Sequence, residues 1–287
     1  MDSNINAKTR NWLAVGAIPI MIWTAVPLLW ILATSFKGGD ALADSKKNIL
    51  GNFWPKEPTW DNYKLIFTGG ASDLFNPALR NSIIVCLVST LISVILATFC
   101  AYAISRLDFP GKKLILTTAL AVSFFPVIAM VTPLFNLWRQ IGLFDTLPGL
   151  IIPYLALTLP LSIWTLSAFF QQIPWEMEQA AQVDGATSWQ AFRKVIAPLA
   201  APGVFTTAII AFFTAWNDFV FSSNLTSSNN ARTVPAALAF FTGASQFTQP
   251  TGAIAAAAVV VTIPVVILVL LFQRRIVAGL TSGAVKG

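Results

Sequence analysis

NSIIVCLVSTLISVILATFCAYAIS, residues 81–105, carries no charged side chain from end to end. A helix of that length rises far enough, at about 1.5 Å per residue, to cross a hydrocarbon core of about 30 Å. Comparable apolar stretches lie near 13–34, 114–137, 149–170, 204–223 and 252–273, so the sequence predicts an all-α polytopic membrane protein with six transmembrane helices. Composition agrees. Apolar residues make up 56% of the 287 positions and charged residues 10%, against about 25% charged in soluble domains. Residues 1–287 read as one transmembrane domain, with no soluble module to cut from it and no defensible repeat.

The first apolar run follows Lys8 and Arg10 and precedes Ala41-Leu42-Ala43. It is longer than the apolar core of a secretory leader and ends too far before the small residues, so it is expected to span. With the N-terminus inside, Lys8, Arg10, Arg106, Lys112, Lys113, Arg193, Lys194, Arg274, Arg275 and Lys286 fall on the cytoplasmic side. Lys37, Lys46, Lys47, Lys56, Lys64, Arg80, Arg139 and Arg232 fall outside, most of them in the first outer segment. Both termini are therefore expected in the cytoplasm, in a cell membrane. The net charge of +6 is dispersed over span flanks with no basic stripe, which argues against nucleic acid.

The chain has no histidine, which removes the commonest general base and transition-metal ligand. No metal site and no catalytic residue is expected. Cys86 and Cys100 share one predicted helix at about 21 Å separation, so they cannot pair there and read as buried apolar residues. Around 35–79, Trp54, Trp60, Tyr63 and Phe67 suit a folded cap at the outer membrane interface.

The segment from about 171 to 203 breaks the pattern of spans. Pro174 suits a helix start, Glu176 and Glu178 complement the dipole of its first turn, and Gly185 suits a left-handed stop. Thr187 and Gln190 then have capping-box spacing, and Trp189, Phe192, Val195 and Ile196 fall on one face of a second helix. Two short helices joined at Asp184-Gly185 are thus predicted at the cytoplasmic surface, the second ending near Pro198, with Pro202-Gly203 leading back into the membrane.

Ala180-Ala181, Asp184-Gly185-Ala186 and Ile196-Ala197-Pro198-Leu199, about a hundred residues before the C-terminus, resemble the EAA coupling loop of ABC importer permeases. The likeness extends over nearly the whole chain and is to the second permease subunit of carbohydrate importers, with 272–287 most similar to actinobacterial trehalose and maltose permeases. It implies a type I importer permease fold and a loop that inserts into a cleft of a separate ATPase. Glu176, Glu178, Gln179, Ala180, Ala181, Asp184, Gly185 and Ala186 would form that coupling site. Gln179 stands where the family has Glu, which puts an ion pair with the ATPase in question, and Glu176 and Glu178 are candidates to supply the lost charge.

The same resemblance implies a second permease, an ATPase pair and an extracellular or periplasmic solute-binding protein as partners. No phosphate-binding Gly-x-x-x-x-Gly-Lys-Ser/Thr stretch occurs. No cofactor is expected on this chain, with ATP and magnesium on the partner ATPase. A disaccharide such as trehalose or maltose is the expected cargo, with glycerol phosphate or another sugar as the alternative.

Polar groups inside spans mark candidate path residues, because each is costly in hydrocarbon. Asp218 sits either at the wet outer end of the fifth span or, with Asn217, on a hydrated path. Trp216 beside Asn217 would offer an aromatic face and an amide to a sugar. Ser123 and Phe124 are weaker candidates in the third span, and Tyr154, Thr158, Ser162 and Trp164 in the fourth are weaker still. Serines and threonines in spans more often pack helices together, and Pro126, Pro133 and Pro160 are candidate kinks. Gly243, Ala244, Ser245 and Gln246 would form the tip of the loop that meets the binding protein. A stand-alone secondary transporter would need an ion-coupling carboxylate near the midplane, for which Asp218 alone qualifies. An intramembrane hydrolase would need a nucleophile and base that the sequence does not offer.

Overall fold

A computed structural model of the chain describes residues 7–39, 52–241 and 250–284, with side chains from Val15 to Phe272 inside those limits. Every regular element among the described residues is helical. The long helices are α1 (Ala7–Ser35), α3 (Ser72–Arg106), α6 (Leu147–Gln172) and α12 (Thr251–Ala284), with the shorter α2 (Asp61–Phe67) between the first two and α11 (Val234–Leu238) before the last. Five stretches are long and apolar enough to span: Val15–Ser35, Ser72–Arg106, Leu147–Gln172, Ser188–Trp216 and Thr251–Phe272.

The third predicted span is not one rod. It is α4 (Lys112–Ser123) and α5 (Val127–Ile141), bent by 89° at the intervening break. Pro126 causes it: the ring fixes φ at −61° with ψ at 116°, offers no donor, and disfavours helix at Phe125. The expected 114–137 helix is thereby corrected to a broken pair, which makes a sixth span only if the two halves are counted together.

The fifth span also shifts. Helical structure starts at Ser188 and ends at Trp216, and residues 217–223, expected in the same span, hold a break and the start of α10 (Val220–Leu225). The predicted second surface helix therefore does not stop near Pro198. It passes through α8 (Ser188–Ala191) and a π turn (Phe192–Ile196) into α9 (Ala197–Trp216). In the π turn the Ala197 N–H reaches back to the Phe192 carbonyl. The ladder is already offset where Pro198 removes its donor, and the proline rides in the first turn of α9.

By their internal contacts the residues divide into two compact units, Met1–Asn76 with Phe240–Ile263, and Pro77–Ala239 with Pro264–Gly287. In the first, the aromatic segment expected to form a cap is packed. Lys37, 1% exposed, donates to the Asn52 carbonyl at 2.7 Å and lies 4.2 Å from the Trp30 ring centre. Asn62 donates to the carbonyls of Ser35 and Lys37, and the Phe36 ring meets Trp60 and Tyr63. These contacts hold the ammonium where it can be desolvated, and burial pulls its pKa below the usual lysine value.

The second unit packs α3, α6 and α9. Gly203 lies so close to α6 that an added Cβ would stand 2.5 Å from the Phe169 ring, so the two helices meet at a glycine. Thr158 donates to Ser93 at 3.0 Å, and Ser93 and Ser162 lie 3.5 Å apart. These hydroxyls join α3 to α6, as expected of small polar residues within spans. Cys86 is buried as predicted, whereas Cys100 is exposed.

After α5, Gly142 ends the helix with φ +75° and the chain turns at Asp145, itself at φ +59°. The Asp145 carboxylate accepts from the backbone N–H of Ser227 and Ser228 and from both hydroxyls, the Ser228 hydroxyl at 2.6 Å. Partial burial would raise its pKa, but these donors outweigh it and hold the carboxyl below the usual value. A depressed carboxyl stabilises the fold above its unfolded pKa, about 3.9. That contribution is lost as pH falls through the folded value. Asp145→Asn is expected to melt below the unmodified chain at pH 7, with the gap closing under acid conditions. A thermal melt of both proteins in detergent across that range checks it, and a gap independent of pH would contradict it.

Candidate coupling site

Residues 173–199 do form a bent helical pair. Pro174 opens α7 (Trp175–Val183) with ψ at 137°, and Gly185 closes it at φ +88°, the left-handed conformation expected from sequence. The Gly185 N–H bonds to Gln182 and the Ala186 N–H to Ala181, which satisfies carbonyls of the last turn. The capping box is also present: Thr187 accepts from the Gln190 N–H at 3.3 Å, and the Gln190 side chain accepts from the Thr187 N–H at 2.9 Å.

The pair is rooted in the second unit. Phe192 and Ile196 are buried with Ala97, Ala101, Leu166, Phe170 and Ala200, and Tyr102, Ile173, Val195 and Val204 pack on that cluster. Trp189 is half exposed, its ring stacked on Phe192 and Phe99. The apolar face predicted for the second helix is thus turned inward, onto α3 and α6.

The outer surface is different in kind. Glu176, Gln179, Ala180, Gln182, Asp184 and Gly185 are exposed, and Val183 is 87% exposed beside exposed Met177 and Trp175. Ala181 and Ala186 are half-buried. Exposed apolar groups ringed by polar ones mark an interaction surface.

Glu178 departs from expectation. It was placed with the residues offering charge to a partner, but it is 4% exposed and faces inward. Its carboxylate accepts from the Tyr102 hydroxyl, and the Arg106 Nε lies 3.5 Å from its second oxygen. Arg106 also donates to the Ile173 carbonyl at 3.0 Å and lies 5.1 Å from the Trp175 ring centre. Sequence reading missed Tyr102 and Arg106. Their signal was the four-residue spacing, which puts both on one face in the last turn of α3.

Of the path candidates, the structure joins Asp218 to Tyr154, and Thr158 to Ser162 through Ser93. Trp216 is 3% exposed, its ring 5.2 Å from Phe212 and its indole N–H without an acceptor among the described residues. It cannot offer a face to a sugar as expected, because it lies on the packed side of α9 with Phe212, one turn earlier. Asn217, which ends the helix, is exposed, with its amide folded back onto the Phe213 carbonyl. Asp218 is not in water at a helix end. It is buried and accepts from the Tyr154 hydroxyl at 2.8 Å and from the N–H groups of Phe221 and Ser222. Ser123 and Phe124 mark the bend between α4 and α5, where Phe124 is 81% exposed and Ser123 donates to Leu120. Trp164 is exposed, whereas Tyr154, Thr158 and Ser162 are buried. Gly243, Ala244, Ser245 and Gln246 lie outside the described residues.

A polytopic helical chain with a bent helical pair rooted between spans is the architecture of a membrane permease. Residues 89–282 match the family model of the binding-protein-dependent transport system inner membrane component, and the chain belongs to that family. Over 283 residues it is 53% identical to the trehalose transport system permease protein SugB of Mycobacterium tuberculosis, covering 99% of this chain and 100% of that one. The trehalose/maltose transport system permease protein MalG of Thermococcus litoralis is 39% identical over 97% of each chain. The sulfoquinovosyl glycerol transport system permease protein SmoH of Agrobacterium fabrum is 38% identical over 100% of this chain and 97% of its own. Among solved structures, a bacterial ABC transporter that imports the acidic polysaccharide alginate superposes with TM-score 0.76 at 21% identity, over 95% of this chain and 99% of that one, and so shares the fold.

Proposed function

We propose that this permease forms one half of the translocation path of an ABC importer for trehalose or a close disaccharide, working with a second permease, an ATPase pair and a solute-binding protein. The cargo rests on the full-length similarity to a trehalose permease at 53% identity. The geometric observation behind the mechanism is the bent pair at Gly185, whose root is buried among α3 and α6 and whose opposite face is exposed.

In this reading the exposed face from Glu176 to Ala186 docks in a cleft of the ATPase, with Gln179 contributing a neutral hydrogen bond. ATP, with magnesium, is bound and hydrolysed there. Closure of the ATPase pair moves α7, and the buried root carries that movement into α3, α6 and α9. The path then alternates between inward and outward access. Both termini lie in the cytoplasm, and Gly243, Ala244, Ser245 and Gln246 meet the binding protein outside. Asn217 and Phe124, which are exposed, and the half-buried Ser123 beside the bend are the path residues this reading retains.

Affinity purification in detergent tests the assembly. An ATPase and a second permease are expected to copurify, and a chain that comes alone would sink the reading. Uptake of labelled trehalose into vesicles carrying the complex tests the cargo. Competition by maltose, diacetylchitobiose and sulfoquinovosyl glycerol at equal concentration is expected to be weaker than by unlabelled trehalose. A stronger competitor would replace trehalose as the assigned solute.

A further inference from the structure

The buried carboxylate of Glu178 does not belong to the docking face, and it asks for a separate explanation. Its side chain and that of Arg106 are 6% and 5% exposed. Apolar packing by Phe192, Ile196, Leu166 and Phe170 already holds the segment to the spans. A buried ion pair adds little stability over well-packed apolar side chains, because desolvation offsets the attraction. What it adds is direction: each partner, if pulled from the other, is left as an unpaired buried charge.

The two partners sit on the elements that must move together. Glu178 is on α7, the helix that bears the docking face, and Tyr102 and Arg106 are on the last turn of α3. Arg106 also holds the Ile173 carbonyl and covers Trp175, so it grips α7 at its first turn as well as its middle. The grip is under-filled. Arg106 Nε and Glu178 Oε2 lie 3.5 Å apart, and neither has a hydrogen-bond partner among the described residues. Buried polar atoms left in that state are rare, and their energy depends steeply on small displacements.

We infer that Tyr102, Arg106 and Glu178 form the joint that fixes α7 to α3, so that a displacement imposed on α7 at the cytoplasmic surface is delivered to the spanning helix without slip. The inference rests on the proposed docking of α7 to an ATPase. The three are positioning residues: none is assigned a contact with sugar, nucleotide or partner. Where Glu178 would ordinarily be counted among charges presented to the ATPase, it instead faces its own chain.

The test uses the complete complex of both permeases and the ATPase, with Cys86→Ala and Cys100→Ser in this chain. Spin labels go on the exposed positions Leu96 of α3 and Gln182 of α7, and because Gln182 lies on the proposed docking face, ATPase copurification is measured on every labelled chain. With the joint intact, the distance between labels is expected to stay the same whether the complex is nucleotide-free or ATP-bound. In Glu178→Gln and Arg106→Gln the distance is expected to change on ATP binding, because α7 follows the ATPase and α3 lags. Sugar taken up per ATP hydrolysed is expected to fall about fivefold or more, and Arg106→Lys to fall between. Tyr102→Phe, which keeps the ring, is expected to show the same defect in milder form. A distance unchanged by ATP in every variant, with only abundance or melting temperature reduced, would overturn the joint and leave a structural ion pair. An unmodified chain that brings down no ATPase would instead overturn the proposed function on which the joint rests.

Discussion

Gly185→Val is expected to cut sugar uptake by about tenfold or more while reducing ATP hydrolysis much less. The reason is confined to the backbone. Gly185 sits at φ +88°, and a Cβ built there meets no atom of this chain within 4 Å, so no clash inside the chain contributes to the result. The left-handed region costs an ordinary L-residue about 1–2 kcal/mol, and more for one branched at Cβ. About 1.4 kcal/mol is a tenfold loss in the population of the bent geometry. A graded series follows from the same argument. Asparagine, which tolerates this conformation, should retain most of the uptake, alanine less and valine least. Parallel assays of uptake and hydrolysis on purified complexes check the order. Equal uptake across the series would show that the bend at Gly185 does not matter to transport.

That bend was legible because its determinants are local. A proline start, acidic first turn, capping box and glycine stop each act within a few residues, and the sequence spacing alone reports them. The span count was legible for a similar reason, since a bilayer imposes length and apolarity on contiguous stretches. What escaped were features set by tertiary packing. Nothing within 188–203 says that a π turn carries the second helix past Pro198 into the span. A kink at Pro126 was readable from the proline itself, but its 89° size was not, because proline also lies inside α5, α6 and α9 without ending them. Glu178 has the same chemistry as Glu176 two residues away, and only the arrival of Tyr102 and Arg106 from α3 separates an internal tie from a surface charge. Trp216 and Asn217 adjoin in sequence and face opposite ways, because the helix ends between them.

Asp218→Ala is expected to deplete the folded chain in the membrane, because each buried donor it orphans costs about 1–3 kcal/mol. Three donors converge on this carboxylate: the Tyr154 hydroxyl and the N–H groups of Phe221 and Ser222 that open α10. Tyr154 is fully buried, so its hydroxyl has no water to turn to once the acceptor is gone. An orphaned donor of that kind costs about 1–3 kcal/mol, and hydrocarbon surroundings make replacement partners scarcer still. Asp218→Asn keeps one accepting oxygen and should fall between. Tyr154→Phe deletes the hydroxyl but leaves the two backbone bonds to Asp218, so it should be the mildest. Because the residues touch, the double variant Asp218→Asn with Tyr154→Phe should lose less than the two single losses combined. Melting temperature and membrane abundance read this ranking directly. The path reading of Asp218 makes the opposite forecast, an altered uptake KM in a chain that melts normally. The buried carboxylate, held by Tyr154 and by the N–H groups of Phe221 and Ser222, argues for the structural outcome.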